Sequence, residues 1–285
     1  MASPTYVSYM FILFFSCASC FTFRNTSEIS TESTSNDTVT RRRATSSERW
    51  SEEEIVRFLS QSSHSHRAYF SRLFRDGGFR SAVEVGVAGG RFAEHLILDG
   101  LRIQSYIMIE PYVQGILRHR CKTLSGKFPG MALNLVEKLS IDKQALDAVV
   151  QADFIYLDGA HDYQNVKLEL EPYWERVAPG GILAGHDYCD YGQKRLACRG
   201  CSEVPRCGVY TEMSRNLEGR KVSSQHGVVR AVQEWLAESH PYIQVHHTTE
   251  GFSRQSLEAD GMDYDLVLTK TRNPSWFVVK PATIS

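Results

Sequence analysis

Two short clusters hold the residue types that move protons or bind metals. Asp158-Gly159-Ala160-His161 follows the apolar run "DFIYL", and Gly185-His186-Asp187 follows "GGILA". His161 is a candidate general base, because an imidazole titrates near neutral pH. Asp158 and His186 are catalytic candidates beside it. Asp158, His186 and Asp187 can instead hold a divalent metal that acidifies a bound hydroxyl. Carboxylates with waters suit magnesium or manganese, and added histidine favours manganese, iron or zinc. Ordinary readings stand beside these. Asp158 can cap the following helix or bond a loop amide. His161 can be a hydrogen-bonded loop residue.

A third cluster is "EVGVAGG", Glu84 to Gly90. A glycine turn after a strand lets a cofactor approach the backbone closely. Gly86, Gly89 and Gly90 miss the G-x-G-x-x-G spacing of dinucleotide folds. Glu110 ends the next apolar run, where a carboxylate can accept from two ribose hydroxyls.

These residues need a frame that brings strand ends together. From residue 80 onward, apolar runs alternate with helical patterns. The runs "SAVEVGV", "SYIMIEP", "MALNLVEKL", "DFIYLDG" and "GGILAGHD" are continuous, as expected of strands covered on both faces. Between them lie helical patterns at Phe92–Leu98, Tyr112–Lys127, Lys143–Val150 and Tyr163–Val177. Such alternation predicts an α/β fold with a doubly wound, mostly parallel seven-stranded sheet. Ligands then bind at the carboxyl ends of the strands, where all three clusters fall. Ser51 and Glu54 form a capping box for an earlier helix. A later helix is expected over Gly227–Glu238, followed by closing strands "YIQVHHTT" and "DYDLVLTK".

The chain has 285 residues, 42% of them apolar, and a net charge of −1. A near-neutral chain of this kind gives no reason to expect nucleic acid as a partner. Residues 1–23 are apolar and small, without a charge before Arg24. They read as a signal peptide or signal anchor, with a plastid leader as the alternative. Residues 24–49 are Ser/Thr-rich and suit a disordered stem. Two glycosylation sequons, at Asn25 and Asn36, lie on it. Residues 50–285 would form the folded domain, with an insertion over 189–225. The expected setting is the secretory pathway, with a membrane contact only through the N-terminal segment.

Taken together, the motifs resemble a known family. Glu84-x-Gly86-x-x-x-Gly90, Glu110, "FIYLDGAHDY", "APGGILAGHDY" and "HGVVRAVQEW" are similar to those of class I S-adenosylmethionine-dependent methyltransferases. The group resembled is that of small-molecule and sugar O-methyltransferases. The likeness spans about residues 80 to 270. It implies that Gly86 and Gly90 lie under the cofactor's amino-acid end, and that Glu84 holds this turn or meets the ammonium. It also implies that Glu110 takes the ribose, that Ser140 lies beside the adenine, and that Asp158 lies against the cofactor. Asp158 and Asp187 correspond to acids that hold magnesium in related enzymes, and His186 departs from that pattern. The implied reaction is O-methylation of a hydroxyl on a small molecule or glycan. Two other classes compete: a catalytically silent lumenal binding protein, and a nucleotide-sugar or nicotinamide enzyme. The glycine spacing argues against the last.

Cys189, Cys198, Cys201 and Cys207 crowd into the insertion. Two disulfides or a structural zinc would each explain them.

Overall fold

A computed structural model describes residues 49–60, 66–189, 213–215, 221–223, 227–248 and 273–282. The chain divides into units Met1–Arg43 and Ala44–Ser285, and the described residues belong to the second. The leader, the stem and both sequons lie outside the described residues, as do Cys198, Cys201, Cys207 and "DYDLVLTK". Among the described residues no helix is long and apolar enough to cross a membrane.

The frame is an α/β layered fold around one seven-stranded sheet. Its strands are β1 (Ser81–Val85), β2 (Ser105–Ile109), β3 (Ala132–Val136), β4 (Ala152–Leu157), β5 (Val177–Gly185), β8 (His246–His247) and β9 (Trp276–Val279). A separate two-stranded ribbon pairs β6 (Met213–Arg215) with β7 (Lys221–Ser223). The sheet order is β3-β2-β1-β4-β5-β9-β8. The first five strands run parallel, and β9 lies antiparallel to both β5 and β8. The predicted mostly parallel sheet is therefore observed.

The order places β1 between β2 and β4, with Val83 level with Ile107 and Ile155. The chain thus reverses direction beside β1, where open α/β sheets bind ligands. Both faces are covered. One apolar layer joins Phe70, Phe74, Phe92, Phe154, Tyr156 and Phe277. The other joins Val83, Ile155, Leu170, Trp174, Leu183 and Trp235. Trp174 and Trp235 meet edge to face with centroids 5.6 Å apart.

The helices are α1 (Glu52–Ser60), α2 (Ser71–Arg75), α3 (Arg91–Gly100), α4 (Gly115–Lys127), α5 (Lys143–Asp147), α6 (Tyr163–Glu175) and α7 (Val228–Ser239). The capping box at α1 forms: Glu54 N donates to Ser51 Oγ, and Ser51 N donates to Glu54 Oε2. α6 is capped by Asp162, whose side chain accepts from Asn165 N. Asp158 therefore does not cap that helix. α7 starts where a Cβ on Gly227 would fall 1.9 Å from Tyr163 N, so the two helices begin in backbone contact.

Strand β9, "WFVV", has no counterpart in the sequence reading. It is only four residues long, and its partners β5 and β8 are distant in the chain. Local patterning carries little signal for such a strand. β8 lies within the expected "YIQVHHTT" but spans two residues.

Candidate active site

The tip of β1 is a turn that a side chain at Gly86 would break. Gly86 has φ +81°, and a Cβ there would lie 2.2 Å from the Asp158 carbonyl oxygen. β1 and β4 thus touch through backbone at the point where both end. Gly90 has φ +79° and begins α3. Ala88 is also left-handed, at φ 49°. Its amide donates to Glu110 Oε2 at 2.8 Å, while Tyr112 N donates to Oε1 at 2.9 Å. Glu110 thereby ties the end of β2 to the glycine turn. Arg120 on α4 closes the turn from outside, donating to the Gly89 carbonyl and to Glu94.

Glu84 sits inside β1, buried, and accepts from the Tyr106 hydroxyl at 2.7 Å. Burial pushes its carboxyl up to about 8, against the lowering effect of that hydrogen bond. A raised carboxylate favours folding below its unfolded value and loses that advantage as pH climbs. Wild-type stability should therefore fall as pH rises from about 4.5 toward about 8. Glu84→Gln should remove part of that slope, and thermal melts across this range check it.

The clusters after β4 and β5 converge. Asp158 Oδ1 lies 3.5 Å from His161 Nε2 and 3.4 Å from His186 Nδ1. Asp187 Oδ2 lies 3.3 Å from His161 Nδ1, and its Oδ1 lies 3.1 Å from His186 Nδ1. Asn273 donates to Asp187 Oδ1 at 2.8 Å. Asp187 has φ 58°, a left-handed backbone that a non-glycine residue holds only under constraint. Such strain gathers at functional sites. Arg67, arriving from the segment before α2, places Nη1 3.4 Å from Asp158 Oδ2. Its guanidinium lies 5.4 Å from the Phe92 ring centroid at the start of α3.

Burial opposes a charge on His186, but Asp187 and Asp158 outweigh it, so its pKa lies above the ordinary value. His186 Nε2 is buried without a hydrogen-bond partner. An orphaned polar atom in a buried site marks a place where a ligand or water fits.

Donor atoms of Asp158, His161 and His186 all lie within 4.8 Å of one another. Ligands about 2.1 Å from one tetrahedral ion stand about 3.4 Å apart, close to the two Asp158 distances. The set is chemically suited to a divalent transition metal. Asp187 stands behind His161, at the ring nitrogen turned away from Asp158, as carboxylates do behind metal-bound histidines. At His186 it faces the same Nδ1 that Asp158 approaches.

The structure brings Gly86, Asp158, His161, His186 and Asp187 together, and gathers Glu84, Gly90 and Glu110 around the adjoining turn. Ser140 is buried. Its hydroxyl donates to Glu169 Oε1, which lies 3.6 Å from where a Cβ on Gly159 would be. Sequence reasoning missed Arg67, Asn273 and Glu169. Only Glu169 left a signal: an acid on the apolar face formed by Val166, Leu170 and Tyr173.

Residues 83–188 match the family model described as a methyltransferase domain. The likeness to class I S-adenosylmethionine-dependent methyltransferases is borne out over that stretch. No curated protein matches the chain. Several solved structures are similar. A putative caffeoyl-CoA O-methyltransferase from Staphylococcus aureus is 15% identical, covering 75% of this chain and 82% of that one, with a TM-score of 0.44. An O-methyltransferase from Bacillus cereus in complex with SAH is 15% identical, with coverages of 75% and 80% and a TM-score of 0.47. A 1,6-didemethyltoxoflavin-N1-methyltransferase from Burkholderia thailandensis, with bound S-adenosylhomocysteine, is 10% identical, with coverages of 78% and 79% and a TM-score of 0.46.

Proposed function

We propose that the protein is an S-adenosylmethionine-dependent methyltransferase that methylates a hydroxyl on a small molecule or glycan. The observation that carries this reading is the meeting of the two Asp/His clusters beside the glycine turn of a methyltransferase-type sheet. When bound, the cofactor supplies an electrophilic methyl group on a sulfonium.

The chain's own residues then have three tasks. Gly86 and Gly90, both left-handed and packed against Asp158 and Leu117, hold the turn that takes the amino-acid end, and the buried Glu84 carboxyl meets its ammonium. Glu110 keeps lone pairs for the ribose beyond the two amides it already holds. His161 receives the acceptor's proton. Its Nδ1 faces Asp187 at 3.3 Å, and its Nε2 stands at 3.5 Å from Asp158, too long for a strong hydrogen bond. With its N–H directed toward Asp187, the imidazole keeps the Nε2 lone pair for the hydroxyl; this tautomer is part of the proposal. Two carboxylates stabilise the imidazolium that forms.

A second reading of the same residues has the close spacing of their donor atoms behind it. Asp158, His161 and His186 would hold manganese, zinc or a similar divalent ion, which supplies a Lewis acid that lowers the pKa of a bound hydroxyl.

The test is incubation with methyl-labelled S-adenosylmethionine and hydroxylated metabolites or glycans, read by mass spectrometry. A gain of one methyl on oxygen is expected. Activity lost to a chelator and restored by manganese assigns the metal route; full activity in chelator assigns the base route. Absence of S-adenosylmethionine binding by calorimetry would sink the proposal and favour a silent binding protein. The apolar leader and the two sequons support a secretory setting, which a glycosidase-sensitive mass shift on the expressed chain would reveal.

A further inference from the structure

α6 carries a buried acid that the reaction above does not use. Glu169 is 4% exposed among the apolar neighbours of the second core layer. A carboxyl in such surroundings is costly, and an apolar residue would pack there at no such cost. Glu169 accepts a hydrogen bond at Oε1 from the Ser140 hydroxyl. Tyr173, one helical turn further along α6, donates its hydroxyl to the Ser140 carbonyl at 2.8 Å. One face of α6 therefore grips both the side chain and the backbone of a single residue in the loop after β3. The same helix starts at Asp162, directly after the Asp158–His161 segment.

We infer that Glu169 and Tyr173 are positioning residues: they hold the loop at Ser140 in the shape that receives the cofactor's adenine side. The inference rests on the methyltransferase reading, which puts that loop beside the adenine. Without the grip, the loop must be ordered at the expense of binding energy, so affinity falls while the chemical step stays intact. A carboxylate accepts more strongly than a neutral carboxyl. Burial lifts Glu169 to about 7, against the Ser140 hydrogen bond, and Asp162 at the helix start is the charged group that adds to the rise. The grip thus tightens as pH rises through neutrality.

The experiment is calorimetric titration with S-adenosylhomocysteine of wild type, Glu169→Leu, Glu169→Gln and Tyr173→Phe. Thermal melts and kcat at saturating S-adenosylmethionine accompany it. Glu169→Leu should bind about tenfold more weakly, the worth of one hydrogen bond to an ion. It should melt no lower than wild type, because a buried acid has been replaced by an apolar side chain. A merely structural role would lower the melt instead. Its kcat should stay within about twofold. Tyr173→Phe should weaken binding in the same direction. Wild-type affinity should rise as pH passes about 7. Glu169→Gln, which still accepts from Ser140, should bind without that rise. Unchanged affinity in Glu169→Leu overturns the inference. Should that variant not fold, wild-type affinity and pH dependence in both Tyr173→Phe and Glu169→Gln overturn it equally. A wild type that binds no S-adenosylhomocysteine removes the methyltransferase reading itself, and this inference with it. A wild type that binds, with variants its equal, removes the inference alone.

Discussion

Asp158→Asn should lower turnover by roughly 10²–10⁴-fold while leaving cofactor affinity within a few-fold, the range expected when a positioned acid–base group is lost. The side chain keeps its shape, and the backbone links at this residue persist: Asp158 N still donates to the Val85 carbonyl. What disappears is one negative charge at the centre of the cluster. Asp158 Oδ1 is the atom that His161 Nε2 and His186 Nδ1 both approach, and Oδ2 faces Arg67. Without it, Arg67 is left against a neutral amide in a buried setting, and the imidazolium of His161 loses one of two stabilising carboxylates. His186, raised by Asp187 and Asp158 together, drops toward its ordinary value. Both catalytic routes suffer, because the carboxylate serves the base route as counter-ion and the metal route as ligand. Initial rates and calorimetry with S-adenosylhomocysteine check this. Normal turnover in this variant would move the chemistry away from the tips of β4 and β5.

The central part of this arrangement was legible in the sequence because parallel strands covered on both faces read as unbroken apolar runs. Where such a run meets Asp or His, the polar residue must lie at a strand end, and all parallel strands end on one rim. That logic brought Asp158 and His161 to the same rim as His186 and Asp187 without knowledge of pairing. It found the glycine turn and Glu110 for the same reason. Arg67 was beyond its reach. That residue precedes α2, and nothing local says that the segment folds back over β4. Asn273 reaches Asp187 from a stretch 86 positions away in the chain, next to the four-residue β9. Strand order, which set β9 beside β5, is a tertiary choice with no local signature. Glu169 was visible as a misfit on an apolar helical face, but its partner could not be inferred, because helix α6 and the loop after β3 meet only in the folded protein.

Gly86→Ala should be strongly disruptive for a change that adds a single methyl. Two independent costs coincide there. The backbone is left-handed, at φ +81°, which a residue with a Cβ adopts at roughly 1 kcal/mol or more. The added carbon would also lie 2.2 Å from the Asp158 oxygen, 2.4 Å from Gly159 Cα and 2.5 Å from Asp158 C. All three are backbone atoms, so no side chain can turn aside, and overpacking of this kind adds about 1–3 kcal/mol. The strand tips must separate, and the Asp158 carboxylate moves with them. A destabilisation of roughly 3 kcal/mol corresponds to a fall in Tm of about 10 °C for a domain of this size. Loss of cofactor binding should accompany it, since the turn itself is displaced. Gly115→Ala is the control: this glycine opens α4 and has nothing within 4 Å of the added carbon. Alanine suits a helix better than glycine, so that variant should melt at or slightly above wild type. Thermal melts of the pair, with calorimetric titration of S-adenosylhomocysteine, give the comparison. If Gly86→Ala melts and binds like wild type, the contact between β1 and β4 is not what shapes the donor site.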